Sequence, residues 1–215
     1  MAVELTALDV MSDAPVIPVI VLDDVRDAAP MARALVAGGI RMLEVTLRTP
    51  RALACIEAIA REVPEAVVGA GTIRSAADAR AAADAGARFG VSPGFTQSVA
   101  QACLDLKLPL LPGVATSSEV MMAREAGFEQ LKFFPAMQAG AIPMLKAWQG
   151  PFFDVQFCPT GGISPSNAAQ FLALSNVVCV GGSWLAPADA VATKDWARIT
   201  MLACDTAEFR KARNA

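Results

Sequence analysis

The chain repeats one pattern eight times: a short apolar run rich in β-branched residues, a turn, and an Ala- and Leu-rich amphipathic segment. Such alternation predicts parallel strands joined by helices, and eight near-equal units predict a closed (β/α)8 barrel. An open doubly wound sheet is the alternative, but no G-x-G-x-x-G motif follows the first run. The runs are Val16–Leu22, Met42–Leu47, Val67–Thr72, Arg88–Ser92, Leu108–Pro112, Gln130–Phe134, Asp154–Thr160 and Val177–Gly181.

The segments between the runs carry helix signals. Ser75 and Ser117 are predicted to begin helices, and glycines follow several helical segments as expected at helix ends. An additional helix over Met1–Met11 is expected to close the bottom of the barrel, and the whole chain, residues 1–215, is expected to form one domain. The predicted helices include Val25–Ala37, Pro50–Glu62, Ser75–Ala85, Ser117–Ala126 and Pro165–Ala173, and the glycines are Gly38, Gly86 and Gly127.

Composition excludes several classes of partner. Hydrophobic residues make up 54% of the chain and charged residues 18%, yet no apolar run approaches the roughly 18 residues of a membrane span. That richness fits a parallel sheet that is buried on both faces. A net charge of −3 argues against nucleic acid as a partner. The acidic N-terminus does not resemble a signal peptide, and five scattered cysteines without a C-x-x-C pair predict reduced thiols in a cytoplasmic protein.

The chain contains no histidine. This absence excludes Ser-His-Asp and Cys-His nucleophiles, histidine-bound metal sites and imidazole acid–base catalysis. Any chemistry must therefore use lysine, arginine, carboxylate, hydroxyl or thiol groups, or a cofactor.

One of the five lysines lies inside a predicted strand. Lys132 is in the sixth run, and strand alternation places it on the same face as Phe134. If that face points into the barrel, removal from water favours the neutral amine that attacks a carbonyl group. The alternative is a structural lysine paired with a carboxylate.

The second run contains a carboxylate among apolar residues. Glu44 shares a strand face with Thr46 and Arg48, and a buried acid is costly unless it is paired or functional. Strands two and six lie across an eight-stranded barrel, so Glu44 and Lys132 are expected to converge, with Glu44 as a proton shuttle. An ion pair of Glu44 with Lys132 or Arg48 that only stabilises the core is the alternative.

Glycine pairs follow the last two runs. Gly161 and Gly162 come after the seventh run, and Gly181, Gly182 and Ser183 come after the eighth. Backbone N–H groups can approach an anion closely at such positions, and barrels often bind phosphate there. Two ordinary tight turns are the alternative.

Six motifs, in unbroken order between Pro15 and Trp196, resemble the class I 2-keto-3-deoxy-6-phosphogluconate (KDPG) aldolases, some of which also cleave 4-hydroxy-2-oxoglutarate. They are Met42–Thr49, Val68–Thr72, Ser92–Gly94, Leu131–Ala136, Phe157–Ile163 and Val180–Trp184. The resemblance implies a cytoplasmic, homotrimeric (β/α)8 lyase of the Entner–Doudoroff pathway. It also implies a phosphorylated keto-acid substrate, no metal and no cofactor.

The resemblance also implies a role for each matching residue. Lys132 would form a Schiff base with the substrate's keto carbon, and Glu44 would transfer protons. The pyruvyl carboxylate and its surroundings would be held by Arg48, Thr72, Pro93, Phe134 and Thr160. The phosphate would be bound by Gly161, Gly162, Gly181, Gly182 and Ser183.

One loop departs from the family's pattern. After Leu131–Ala136 the family usually continues with Glu and then Gly-Gly, whereas this chain has Met137 and, in place of the second glycine, Ala141. We expect this change to affect substrate preference or rate and to leave the Schiff-base mechanism intact.

Two other functions remain open from the residues alone. A phosphosugar isomerase or epimerase on the same barrel would use the phosphate-binding glycines and Glu44 as a base, with Lys132 as a non-covalent electrophile. A phosphometabolite sensor would bind the same ligands without turnover.

Overall fold

The computed structural model describes residues 5–209. Its strands pair only in parallel, in two sheets of order β5-β4-β3-β2-β1-β9 and β6-β7-β8. The strands are β1 (Val16–Ile20), β2 (Met42–Thr46), β3 (Val67–Gly71), β4 (Gly90–Val91), β5 (Leu110–Leu111), β6 (Gly113–Val114), β7 (Gln130–Phe133), β8 (Gln156–Pro159) and β9 (Val180–Gly182).

The two sheets close into one barrel. Strands β5 and β6 are consecutive parts of the fifth barrel strand, separated by Pro112, which has no N–H for a strand ladder. Single parallel bridges, including Thr160 to Gly181, join the chain of β8 to that of β9. The (β/α)8 prediction is confirmed. The predicted end of the fifth run at Pro112 is wrong, because the strand continues to Val114.

Helices alternate with the strands as predicted. They are α1 (Ala7–Ser12), α2 (Val25–Ala37), α3 (Ala52–Glu62), α4 (Ala76–Asp84), α5 (Gln97–Asp105), α6 (Ser117–Glu125), α7 (Ala141–Trp148), α8 (Ala168–Leu172), α9 (Ala188–Ala192) and α10 (Trp196–Asp205). Ser75 caps α4 by accepting the Asp78 N–H at 3.1 Å. Helix α6 is instead capped by Thr116, one residue before the predicted Ser117, because Glu119 completes a capping box with Thr116.

Helix α1 closes the bottom of the barrel. Within the predicted Met1–Met11 segment the helix begins only at Ala7, after the capping residue Thr6, and Met1–Glu4 lie outside the described residues. Its buried Val10 and Met11 pack in one cluster with apolar residues that lie in the strands or directly before them. Those residues are Ile17, Met42, Phe89, Val91, Leu111, Cys158 and Cys179. The lower half of the barrel is therefore apolar and filled.

Most other buried apolar residues lie between the strands and the surrounding helices. Many of the helix residues in this layer are alanines, such as Ala28, Ala32 and Ala79, and small side chains let helices approach the sheet closely. No helix within residues 5–209 is long and apolar enough to cross a membrane.

Met11→Ala tests how much α1 contributes to stability. Met11 is fully buried, so truncation removes apolar contacts and leaves a cavity above α1. We expect the free energy of unfolding, measured by urea denaturation, to fall by about 2–5 kcal/mol. Met201→Ala is the matched control, because Met201 on α10 is 57% exposed. An equal, small effect of both substitutions would show that α1 does not stabilise the barrel.

Candidate active site

Lys132 points into the barrel from β7. Its neighbours Leu131 and Phe133 are fully buried on the opposite face of the strand, in the layer beneath the helices. The register places Gly113 and Cys158 beside Lys132 on the adjacent strands. The lysine side chain is only 5% exposed, so an amine is held in the interior near the upper end of its strand.

Glu44 meets Lys132 across the barrel. The Glu44 Oε1 atom lies 3.3 Å from Lys132 Nζ, and the carboxylate side chain is 4% exposed. Gly71 on the neighbouring strand provides the space, because a Cβ atom there would lie 2.3 Å from Glu44 Oε1. The predicted convergence is confirmed. Within residues 5–209 Glu44 forms its salt bridge with Lys132 and not with Arg48, the other pairing considered.

An aromatic ring and a hydroxyl group complete the surroundings of the amine. The centroid of the Phe134 ring lies 5.2 Å from Lys132 Nζ, within the range of a cation–π contact. Thr160 is buried, and Gly181 leaves room for it, because a Cβ at Gly181 would lie 2.2 Å from Thr160 Oγ1. In both cases a glycine on the neighbouring strand leaves room for a buried polar side chain: Gly71 for Glu44 and Gly181 for Thr160.

Arg48 and Thr72 follow the ends of β2 and β3. The Arg48 Nε group donates a hydrogen bond of 3.2 Å to Thr72 Oγ1. Arg48 is exposed and Thr72 half-buried, so the guanidinium lies where the barrel opens to solvent. A cation in this position suits an anionic group on a ligand.

The two glycine loops open onto a cavity of about 120 Å³. Both loops contribute to its wall, together with Arg48. The complete lining is Val19, Arg48, Phe134, Thr160, Gly161, Gly162, Ile163, Gly181 and Ser183. The two loops follow different strands and thus line one cavity together.

Gly161 and Gly162 both have left-handed backbones, with φ angles of 102° and 76°. Asn167 holds this turn: its Nδ2 group donates to the Gly162 carbonyl at 3.1 Å, and its Oδ1 atom accepts the Ser164 N–H at 2.9 Å. Only glycine adopts such a conformation at little cost, so the turn exposes backbone without side chains in the way.

Five predicted site residues lie outside the lining of this cavity. Three of them, Lys132, Glu44 and Thr72, are described above, and the other two are Gly182 and Pro93. Gly182 faces Trp184, because a Cβ atom at Gly182 would lie 1.9 Å from a carbon of the Trp184 ring. Pro93 lies over β6, and a Cβ at Gly113 would be 2.4 Å from the Pro93 carbonyl carbon. Because Gly113 is paired with Lys132, Pro93 borders the lysine from the side of the fifth barrel strand.

Sequence reasoning missed two lining residues and one supporting residue. Val19 lies in β1, where all five residues are buried, so no alternation marks its inward face. Ile163 follows the glycine pair and lines the cavity next to it. Asn167 lies within the predicted helix Pro165–Ala173, and the helix pattern gives its side chain no role in the glycine turn. An Asn placed a few residues after a Gly-Gly turn is the signal that could have indicated its supporting role.

Met137 contacts the glycine turn directly. Its N–H donates to the Gly161 carbonyl at 3.2 Å, and a Cβ at Gly162 would lie 2.5 Å from Met137 Cγ. Ala141, the other departure from the family's pattern, has a φ of 48° at the start of α7. Met137 thus lies beside Gly161 and Gly162, whereas Ala141 is the first residue of α7, four residues further along the chain.

The buried thiols at Cys55 and Cys103 are separate from this site. Burial raises the pKa of each to about 11, and for Cys55 nearby Asp24 adds a smaller effect in the same direction. Thiols with such pKa values are poor nucleophiles near neutral pH. Among residues 5–209 no group of three or more acidic or cysteine side chains is arranged to hold a metal ion.

Comparison with known proteins agrees with this geometry. A family model for KDPG and KHG aldolase matches residues 8–202. The KHG/KDPG aldolase of Escherichia coli K12 is 50% identical over 206 residues, which cover 96% of this chain and 97% of that protein. The chain belongs to the KDPG and KHG aldolase family. Aldolases are lyases, and the isomerase and sensor alternatives therefore lose their support.

Two solved structures are similar over nearly the whole chain. The KDPG aldolase of Legionella pneumophila, with pyruvate captured as a covalent carbinolamine intermediate, is 46% identical with a TM-score of 0.92, covering 94% of this chain and 98% of that one. The enzyme of Zymomonas mobilis ZM4 with 3-phosphoglycerate is 47% identical with a TM-score of 0.90, covering 94% and 95%.

Gly71→Ala tests whether the space beside Glu44 matters. The new Cβ would collide with the carboxylate and displace it from Lys132, and misplacement of a reacting group by about 1 Å can lower rates roughly 10²-fold. We expect a loss of about that size in kcat/KM for aldol cleavage of KDPG, measured by pyruvate release. Gly150→Ala is the control, because a Cβ there meets nothing within 4 Å. Equal rates in both variants would contradict the proposed crowding.

Proposed function

We propose that the chain cleaves KDPG to pyruvate and glyceraldehyde 3-phosphate by Schiff-base catalysis, and that 4-hydroxy-2-oxoglutarate is a second substrate. The observation that supports this proposal most directly is the buried pair of Lys132 and Glu44 beside an open cavity. Lys132 Nζ lies 3.3 Å from Glu44 Oε1. Relatives named for KDPG and KHG support the choice of substrate. So does the relative solved with pyruvate as a carbinolamine.

The reaction begins at Lys132. Once the Lys132 ammonium has released a proton to water, the amine attacks the substrate's C2 keto carbon to give a carbinolamine. The carbinolamine hydroxyl then takes up a proton and leaves as water, so that a protonated imine remains. Glu44 accepts the proton of the C4 hydroxyl, the C3–C4 bond breaks, and its electron pair moves into the imine. Glyceraldehyde 3-phosphate leaves, and an enamine of pyruvate remains on the lysine. Protonation at C3 and hydrolysis by water then release pyruvate and restore the amine.

The other residues hold the two ends of the substrate. The Arg48 guanidinium would bind the carboxylate by charge-assisted hydrogen bonds, with Thr72 and Thr160 as hydroxyl partners and with Pro93 and Phe134 packed around the pyruvyl group. The phosphate would be bound at the glycine cradle formed by Gly161, Gly162, Gly181, Gly182 and Ser183. The arrangement of Arg48 and the two loops around one cavity supports this division.

We also propose that the protein is a cytoplasmic homotrimer. The trimer is proposed from the family resemblance, and light scattering should give three times the 22.4 kDa mass of the chain. Cys55, Cys103, Cys158 and Cys204 are free thiols, and the first three are buried, which supports a reducing compartment such as the cytoplasm.

Borohydride reduction in the presence of pyruvate tests the covalent step. Reduction converts the imine to a stable amine, so mass spectrometry should locate one pyruvate-derived adduct on Lys132. Lys146→Arg is the matched control and should retain the adduct, because Lys146 is exposed on α7. Lys132→Arg keeps the charge but cannot form the imine, and should lose both the adduct and cleavage. An adduct on Lys146, or cleavage by Lys132→Arg, would contradict the mechanism.

Glu44→Gln separates proton transfer from imine formation. The amide cannot accept the C4 hydroxyl proton, so we expect kcat for KDPG cleavage to fall by about 10²–10⁴-fold. Lys132 should still be trapped with pyruvate in this variant, since its amine is unchanged. Full cleavage activity in Glu44→Gln would assign the proton transfer to another group.

Met137→Glu tests the loop beside the glycine cradle. This substitution restores the acid that the family usually carries at this position, and we expect kcat/KM for KDPG to change about 10-fold, a typical size for the electrostatic effect of one partly exposed charge. Cleavage of 4-hydroxy-2-oxoglutarate, which has no phosphate, should change less. Met137→Gln has nearly the same shape without the charge and should resemble the wild type. No change with either substrate would show that the loop does not influence specificity.

A further inference from the structure

Ser92 is a buried polar residue that takes no part in the proposed reaction steps. It directly follows the fourth barrel strand, β4, and only 1% of the residue is exposed. A buried hydroxyl group is costly unless its hydrogen bonds are made. The partners of the Ser92 hydroxyl therefore indicate what the residue does.

The Ser92 hydroxyl joins two neighbouring barrel strands. It donates to the Gly94 carbonyl at 2.8 Å, and it accepts the Gly113 N–H at 3.4 Å. The first bond closes the turn that contains Pro93, which is a common use of serine in turns. The second bond reaches the fifth barrel strand beyond the last paired residues of β4 and β5. One hydroxyl group thus fastens the turn to the neighbouring strand.

The fastened turn fills the inward position of Gly113. A Cβ atom at Gly113 would lie 2.4 Å from the Pro93 carbonyl carbon and 2.7 Å from the Gly94 nitrogen. The backbone of the turn therefore lies where a side chain of the fifth strand would project. Gly113 is paired with Lys132, and paired residues of parallel strands project to the same face of the sheet. The turn is thus the wall of the barrel interior beside Lys132.

We propose that Ser92 is a positioning residue for the Schiff-base reaction. Its hydroxyl holds the turn of Pro93 and Gly94 against Gly113, so that the turn provides the surface on which the pyruvyl group packs next to Lys132. Without the hydroxyl, the Gly94 carbonyl and the Gly113 N–H each lose a partner, and the turn is no longer fastened to the strand. This inference rests on the proposed function and deepens it, because it names the group that fixes Pro93 beside the pyruvyl group.

Removal of the hydroxyl should weaken binding of the pyruvyl group. The readout is the pyruvate concentration that gives half-maximal borohydride trapping on Lys132. We expect Ser92→Ala to raise this concentration about tenfold, which is the upper range for loss of one hydrogen bond. Ser92→Cys keeps a weaker donor and acceptor at the same place, so an intermediate increase is expected.

Steady-state kinetics distinguish a displaced wall from a generally loosened barrel. The wall contacts the pyruvyl group both before and during bond cleavage, so Ser92→Ala should raise KM for KDPG about tenfold and change kcat less than about twofold. General loosening would instead disturb the pair of Lys132 and Glu44 and lower kcat.

Gly113→Ala displaces the same turn by a second route. Its new Cβ atom would collide with the Pro93 carbonyl carbon and push the turn away, while the Ser92 hydroxyl is retained. We expect an increase of about tenfold in the half-saturating pyruvate concentration here as well. Because both substitutions release one turn, the double variant should show less than about a twofold further increase over either single variant.

Thr206→Val is the matched control for the loss of a buried hydroxyl. Thr206 is 3% exposed, and its hydroxyl donates to the Ala203 carbonyl at 2.7 Å at the carboxyl end of α10. Thr206→Val and Ser92→Ala should each lower Tm by about 2–4 °C, because each leaves a buried carbonyl without a partner. The half-saturating pyruvate concentration of Thr206→Val should equal that of the wild type.

The outcomes separate this inference from the proposed function. If wild-type Lys132 forms no adduct with pyruvate, the proposed function fails and the inference fails with it. If the wild type forms the adduct and Ser92→Ala needs no more pyruvate, only the positioning role is overturned. A lower kcat at unchanged KM, or weaker pyruvate binding in Thr206→Val as well, would show a general loss of stability and overturn that role. Effects of Ser92→Ala and Gly113→Ala that multiply in the double variant would also overturn it.

Discussion

The ion pair between Lys132 and Glu44 is the constraint on which the rest of the barrel depends. Removing both charges from water is expensive, and apolar side chains of similar volume would often be at least as stabilising. The two groups are nevertheless 3.3 Å apart and about 95% shielded from solvent. Gly71 is needed to make room for the carboxylate. Such an arrangement is better explained by chemistry than by stability, because cleavage of a carbon–carbon bond on an imine needs a neighbouring group that accepts a proton.

The lower and upper halves of the barrel have different roles: the lower half stabilises the fold, and the upper half holds the reactive groups. Its lower half is filled by apolar side chains and closed by Met11 of α1. Its upper half holds the buried polar groups and opens into the cavity. Glycines at positions 71 and 181 lie beside Glu44 and Thr160, so the polar side chains fit without widening the barrel. The filled lower half keeps the strands rigid, and rigid strands keep the lysine and the carboxylate in register.

Periodicity was sufficient to predict the parts of this site that depend on strand order and side-chain alternation. Lys132 and Glu44 could be placed on inward faces, and on opposite strands, from the sequence alone. Features set by three-dimensional packing could not be predicted in this way. Val19 lies in a strand that is buried on both faces, so alternation is invisible there. The continuation of the fifth barrel strand beyond Pro112 and the left-handed turn at Thr72 depend on hydrogen bonds to neighbouring strands.

Met137, a departure from the family's pattern, lies at one end of the site. Met137 packs against the glycine turn at Gly162, whereas the lysine, the carboxylate and Arg48 keep the residues that the family's motifs carry. Contacts to a non-reacting part of a substrate influence which substrate is used, while contacts at the reacting carbon determine the type of reaction. A substitution at the phosphate end can therefore alter preference while imine chemistry is preserved. In a barrel this separation is natural, because the amine projects from a strand and the glycines proposed to bind phosphate lie on loops.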